Sequence, residues 1–264
     1  MLVHPNFDPI ALSVGPLDIH WYGLMYVCGF LSCYFLWNYR IKNYPGLVNS
    51  KWNSDLVSDL IFYGALGAVA GGRLGYVLFY KPAEYIADPV SILFLQQGGM
   101  SFHGGLLGVI AALYLFSRKT KMGFLQIAEF VAPVAPIGLF FGRMGNFVNQ
   151  ELWGKITTVP WGMVFTNGGD LPRHPSMLYE AFLEGLLLLV VLWLLARKAR
   201  PLGFLSGVFL IGYAASRFSV EFVRVPDQHL QYLLFDWVTM GQILSLPMLL
   251  LGVYLVIRSN KSAG

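Results

Sequence analysis

Seven runs of apolar residues, each about as long as a helix must be to cross a lipid bilayer, dominate this sequence. They fall at Ile19–Trp37, Leu56–Phe79, Met100–Phe116, Phe124–Phe141, Met177–Ala196, Gly203–Val223 and Val238–Ile257. Backbone groups in hydrocarbon have no water to bond, so runs of this length are expected to be helices. Strands of a membrane barrel would alternate polar and apolar residues, and these runs do not. Only 12% of the 264 residues are charged, against ~25% in an ordinary soluble domain. The expected fold is an all-α integral membrane protein with seven transmembrane helices, a single polytopic domain over residues 1–264 with small extracytoplasmic loops.

Basic residues orient such a bundle. Arg40, Lys42 and Lys51 follow the first run, and Arg118, Lys119 and Lys121 the third. Arg197, Lys198 and Arg200 follow the fifth, and Arg258 and Lys261 the seventh. All of these fall on one side, which is therefore expected to be cytoplasmic, with the N-terminus outside and the C-terminus inside. No Lys or Arg precedes Arg40, so the start lacks the basic region of a cleavable signal peptide. A net charge of +4 with no basic stripe or reading motif gives no case for nucleic-acid binding. Cys28 and Cys33, inside the first run, have no metal-ligand spacing and read as small core residues. No phosphate loop, nucleophile elbow or zinc motif is present, so neither a metal nor a cofactor is expected.

The remaining basic residues are Arg73, Lys81, Arg143, Lys155, Arg173, Arg217 and Arg224, all near the outer side. An arginine at membrane depth costs about 2.5–3.5 kcal/mol on insertion scales, so positive charge there is expected to meet a ligand. Three stretches concentrate the chemistry. In "FGRMGNFVNQELWG", Phe141 to Gly154, Arg143 stands between Gly142 and Gly145, where a tight bend and close ligand approach are expected. Asn146 and Asn149 add donors and acceptors, Glu151 an arginine partner, and the guanidinium a planar fork for two oxygens of one phosphate. In "GYAASRFSVEFVR", Tyr213, Arg217, Glu221 and Arg224 fall on one helical stripe about 80° wide, so Glu221 bridges two arginines. In "GGMSFHGG", Gly98 to Gly105, His103 is a group able to take a proton, flanked by glycines that permit close helix contact or close ligand approach.

Weaker signals surround these. Tyr22 in "HWYGLMY" stands at the outer end of the first run, where aromatic residues also serve as interface anchors. "RHPSMLYE", Arg173 to Glu180, launches the fifth run, with Pro175 and Ser176 suited to a helix start. Glu129 and Glu184, inside the fourth and fifth runs, are expected to be buried partners with no assigned role.

Arginines, amides and one histidine gathered at the outer half of a bundle fit an anionic phosphate headgroup whose tails stay in lipid. The run "GRMGNFVNQELWG", with "HWYGLMY", "GGMSFHGG", "RHPSMLYE", the Arg217–Arg224 stripe and "MGQILSLPM", resembles the bacterial phosphatidylglycerol–prolipoprotein diacylglyceryl transferase family over nearly the whole chain. The resemblance implies a multi-pass enzyme of the bacterial inner (plasma) membrane, with its active site toward the periplasmic side. It implies that the diacylglyceryl group of phosphatidylglycerol passes to the lipobox cysteine thiol of a prolipoprotein, and that glycerol 1-phosphate leaves. Arg143 matches the family's phospholipid-binding arginine. His103, Asn146, Glu151, Gly154, Tyr22, Arg217, Glu221 and Arg224 match other positions implicated in activity. His103 and Arg217 are then the expected catalytic groups, with His103 taking the thiol proton; an exchange of their roles at thiol and headgroup stays open. Neither cysteine of this chain stands in a lipobox, so the acceptor is another protein. Two other classes fit part of the pattern. A transporter or flippase for an anionic lipid would carry polar groups through the whole bundle depth, and here they crowd the outer half. A lipid-sensing receptor would need a cytoplasmic domain, and no long cytoplasmic loop is present.

Overall fold

A computed structural model describes residues 2–15, 17–94, 98–226, 233 and 237–261. Two short strands, β1 (Leu2–Val3) and β2 (Ile10–Val14), and a third, β3 (Leu17–His20), precede the first long helix, α1 (Trp21–Asn43). Then come α2 (Ser54–Phe79), α3 (Pro82–Ala87), α4 (Phe102–Thr120), α5 (Phe124–Val131) and α6 (Ala135–Val148). A loop with strand β4 (Met163–Val164) leads to α7 (Ser176–Glu180), a π-helical segment (Ala181–Leu187) and α8 (Leu188–Leu195), and the chain closes with α9 (Phe204–Glu221) and α10 (Met240–Lys261). Helices thus occupy all seven apolar runs. By length and composition, Ser54–Phe79, Ser176–Leu195 and Met240–Lys261 are able to cross a membrane, as is the bent pair α5–α6 taken together.

The fourth run departs from expectation. Instead of one helix over Phe124–Phe141, α5 and α6 meet at 57° across residues 132–134. Pro133 has no N–H to continue the first helix, and Pro136 starts the second at a position that needs none. In consequence α6 runs on to Val148, and Arg143 lies inside it rather than at its end.

The chain forms two compact units, residues 1–40 with 129–264, and residues 41–128. In the second unit α2 packs on α4 along glycines. A Cβ on Gly67 would stand 2.5 Å from the Gly108 carbonyl oxygen, and one on Gly104 would stand 2.3 Å from that of Gly71. Four-residue spacing of small residues permits such backbone contact. Arg73 fixes the loop between these helices. Its Nε donates to the Ile92 carbonyl (2.9 Å), its Nη2 to those of Ser91 (2.7 Å) and Phe94 (3.3 Å), and its Nη1 to those of Gly98 and Gly99. Arg73, expected from the sequence to meet a ligand, thus binds backbone carbonyls.

In the first unit, β2 and β3 form an antiparallel hairpin, and β1 lies parallel to β4. α9 and α10 approach through Gly207 and Gly252, each packed on the other's backbone. Ala132, Leu188, Leu192, Ala196 and Leu205 form a buried apolar cluster. Glu129, at the end of α5, caps α9 from outside that helix. Its carboxylate accepts from the Gly203, Leu205 and Ser206 amides at 3.1, 2.7 and 3.1 Å and from the Ser206 hydroxyl at 2.8 Å. A negative group at a helix N-terminus satisfies N–H groups that have no intrahelical partner and complements the helix dipole. Glu129→Leu orphans these donors, each worth about 1–3 kcal/mol when buried and unmade. The variant should show a clearly lowered unfolding temperature in detergent; an unchanged midpoint would mean that the cap is dispensable.

Candidate active site

The site is built within the first unit, on α6, α7 with its π-helical continuation, and α9. Arg143 and Asn146, three residues apart, share a face of α6. Gly145 is buried there because the Tyr22 ring of α1 lies against it; a Cβ would stand 2.7 Å from the ring. The expected bend at Gly142–Gly145 is absent, since the helix continues through both. The turn comes later, at Gln150 and Leu152, which adopt φ of +55° and +60°. It brings Glu151 back toward the helix it has left. Asn146 and Asn149 donate their amide N–H groups to the two Glu151 oxygens at 3.1 and 3.3 Å.

Beyond that turn, Gly154 is threaded between two strands of backbone. Its N–H donates to the His174 carbonyl at 2.8 Å, and it forms an antiparallel bridge with Arg224. A Cβ at Gly154 would fall 2.5 Å from the Val223 carbonyl oxygen and 2.7 Å from the His174 Cβ. Glycine is required here because neighbouring backbone occupies the side-chain position. His174 is held by a short relay. The Trp161 indole donates to the Tyr179 hydroxyl at 2.7 Å, and that hydroxyl lies 3.1 Å from His174 Nδ1. Burial lowers the His174 pKa and so favours the neutral ring, whose tautomer sets the direction of its hydrogen bond with Tyr179.

At the centre, guanidinium and carboxylate groups alternate. Glu184 pairs with Arg143 Nη2 at 3.2 Å, and Arg143 Nε pairs with Glu180 at 3.1 Å. Glu180 also pairs with Arg217, Arg217 with Glu221, and Glu221 with Arg224 at 3.1 Å. Thr239 donates to the second Glu221 oxygen at 2.9 Å. Glu180 and Glu184 are completely buried, whereas the side chains of Arg143 and Arg217 keep 16% and 15% exposure. The π-helical segment begins directly after Glu180 and contains Glu184. Such widened turns recur at functional sites. Here Gly185 beside it lets the Phe140 backbone of α6 come close; a Cβ would stand 2.7 Å from Phe140 Cβ.

Of the sequence-based candidates, Tyr22, Arg143, Asn146, Glu151, Gly154, Arg217, Glu221 and Arg224 all belong to this first unit. Arg224 is not on the helical stripe, because α9 ends at Glu221; its main chain pairs with Gly154, and its side chain reaches back to Glu221. Tyr213, also on the stripe, stacks on Phe209. His103, the second residue of α4, is exposed and belongs to the other unit. Its neighbour Gly104 serves helix contact with α2. Sequence reasoning missed Glu180, whose apolar setting in "SMLYEAFLEG" looks like that of any buried partner; its four-residue spacing from Glu184 was the available signal. Arg173 and Lys155, read as outer charges awaiting a ligand, bind backbone instead, Arg173 through the Gly168 carbonyl (2.7 Å) and Lys155 through that of Phe222 (3.0 Å).

A sequence model of the family described as prolipoprotein diacylglyceryl transferase matches residues 9–258. The chain is 53% identical to the phosphatidylglycerol–prolipoprotein diacylglyceryl transferase of Nitratidesulfovibrio vulgaris strain DP4, over 97% of this chain and 96% of that protein. Identity is also 53% to proteins of the same name from Pseudomonas aeruginosa strain UCBPP-PA14, over 99% of this chain and 97% of the other, and from Legionella pneumophila strain Lens, over 97% and 98%.

Gly154→Ala should force the Val223 and His174 backbones apart, and with them the Arg224–Glu221 pair. The expected outcome is activity lowered about 100-fold or more with a modest loss of thermal stability, because an ångström of misplacement is worth that much in a positioned site. Unaltered turnover in the alanine variant would show that the close approach is unimportant.

Proposed function

Because the chain belongs to the prolipoprotein diacylglyceryl transferase family, we propose that it catalyses the transfer for which its relatives are named. The diacylglyceryl group of phosphatidylglycerol passes to the lipobox cysteine of a prolipoprotein, forming a thioether and releasing glycerol 1-phosphate. The observation that carries the reading is the convergence of Arg143 and Arg217, from α6 and α9, on one buried carboxylate. Two guanidiniums paired to the same carboxylate suit a single phosphate. We place the enzyme in the bacterial inner membrane with seven spans, the N-terminus outside, the C-terminus cytoplasmic and the site facing the periplasm. The distribution of Lys and Arg supports that orientation.

In the reaction the thiolate sulfur attacks a glycerol carbon of the lipid. The carbon–oxygen bond breaks, and the phosphate departs with the bonding electrons. Its charge moves from one negative toward two, so a fixed guanidinium interacts more strongly with the transition state than with the bound lipid. Arg143 and Arg217 hold the phosphate. Tyr22, Asn146, Glu151 and Gly154 shape the lipid site, and Glu221 with Arg224 braces Arg217. A free thiol has a pKa near 8.5, so a base helps to form the nucleophile. His103 takes that proton, and water or bulk base later removes it.

Purified protein given phosphatidylglycerol vesicles and a lipobox peptide should add the diacylglyceryl mass to the peptide cysteine and release glycerol 1-phosphate. Lipid movement without the adduct would point to a flippase. Arg143→Ala should lower kcat about 100- to 1,000-fold, the scale for removing one donor from a developing anion. His103→Gln should lose most turnover below the thiol pKa and recover part of it at high pH; near wild-type rates at neutral pH would remove His103 from the role of base.

A further inference from the structure

The mechanism leaves two buried carboxylates of the cluster, Glu180 and Glu184, without a task, and one of them stands out. Glu180 is completely buried, yet its two oxygens serve different arginines on different helices, Arg143 of α6 at 3.1 Å and Arg217 of α9. Each arginine also has a carboxylate of its own, Glu184 for Arg143 and Glu221 for Arg217. Only Glu180 is common to both. Among the described residues the cluster sets three guanidiniums, of Arg143, Arg217 and Arg224, against three carboxylates, of Glu180, Glu184 and Glu221. Such balance is needed when charges leave water, since an unpaired buried ion is strongly destabilising. It also has a consequence for the ligand. An entering phosphate is drawn to two guanidiniums and repelled by carboxylates directly behind them. At low dielectric both terms are large, and both grow as the phosphate becomes a dianion.

We propose that Glu180 is a positioning residue that fixes the separation of Arg143 and Arg217 and limits their grip on the product phosphate. It touches no reacting atom and acts through the two arginines. The idea rests on the transferase reading. A site that stabilises a departing phosphate must still let it go, and product release limits turnover in many well-evolved enzymes. A shared carboxylate meets both needs. It holds the forks in place before lipid binds and pairs with both again when the product leaves.

Glu180→Gln tests this at nearly constant volume. An amide offers one acceptor oxygen and turns N–H groups toward the second arginine, which frees a guanidinium for phosphate and leaves the cluster with an excess positive charge. Glycerol 1-phosphate should bind the purified variant about 10-fold more tightly than wild type by calorimetry, a shift of one decade in Kd. In turnover, KM for phosphatidylglycerol should fall rather than rise and kcat should fall as well, while single-turnover thioether formation slows much less than steady state. Glu180→Asp, which keeps the charge, should restore wild-type product affinity even where its rate is low. A carboxylate with a merely structural role predicts the reverse, with looser binding of lipid and product together, and that result would overturn the proposal. If Glu180→Gln cannot be recovered folded, Glu184→Gln carries the test, since it frees Arg143 alone. A tightening of about 3-fold supports the idea and unchanged or weaker product binding refutes it. Calorimetry needs no turnover, so a wild-type protein that forms no adduct would sink the transferase reading and leave this comparison standing.

Discussion

A guanidinium inside a membrane protein has no water to fall back on, and in the first unit that single constraint shapes the site. Arg143, Arg217 and Arg224 each lie against a glutamate, and the glutamates in turn dictate the helices. Glu180 and Glu184 have to face α6, which the π-helical turn accomplishes, and Gly185 has to be glycine so that α6 comes near enough. Glu221 closes the chain of charges and is itself held by Thr239 at the foot of α10. Gly241 carries the same demand one step further, since a Cβ there would fall 2.6 Å from a Glu221 oxygen. Backbone choices on α6, α7, α9 and α10 thus trace back to the matching of buried charge.

Part of this arrangement was legible in the sequence because it is local. Arg217 and Glu221 are four residues apart on one helix, so helical geometry alone pairs them. Asn146, Asn149 and Glu151 are close along the chain and meet at the turn that follows α6. What escaped is non-local or depends on competition between elements. The pairing of Arg143 with Glu180 joins helices far apart in sequence, and no periodicity announces it. The α5–α6 break was written in Pro133, but the continuous apolar run masked it. Arg224 fits the helical stripe by spacing, yet its main chain is claimed by Gly154, and a tertiary backbone bridge overrides the helical register. Glu129 was expected to be a buried partner, but nothing along the chain pointed to its partners, the backbone amides at the start of another helix.

The cations read from the sequence as outer charges divide by what they bind, backbone carbonyls for some and carboxylates for others. Lys81 pairs with Glu84 at the surface. Arg73 and Arg173 bind loop carbonyls, and Lys155 binds another. Arg73 donates to several carbonyls of one loop, so an entering phosphate that captured it would strip several hydrogen bonds from that loop at once. Carboxylate partners behave differently. A phosphate oxygen presents to a guanidinium nearly what a carboxylate oxygen presents, and the exchange of one for the other keeps each N–H bonded. The released glutamate stays close to the remaining arginine fork and is not stranded. Arg143 and Arg217, like Arg224, are held by buried carboxylates, and partners of that kind are the ones an anion is able to replace. Charge at a membrane face says only that an arginine needs something. The chemistry of what it already holds decides whether a ligand is able to take its place.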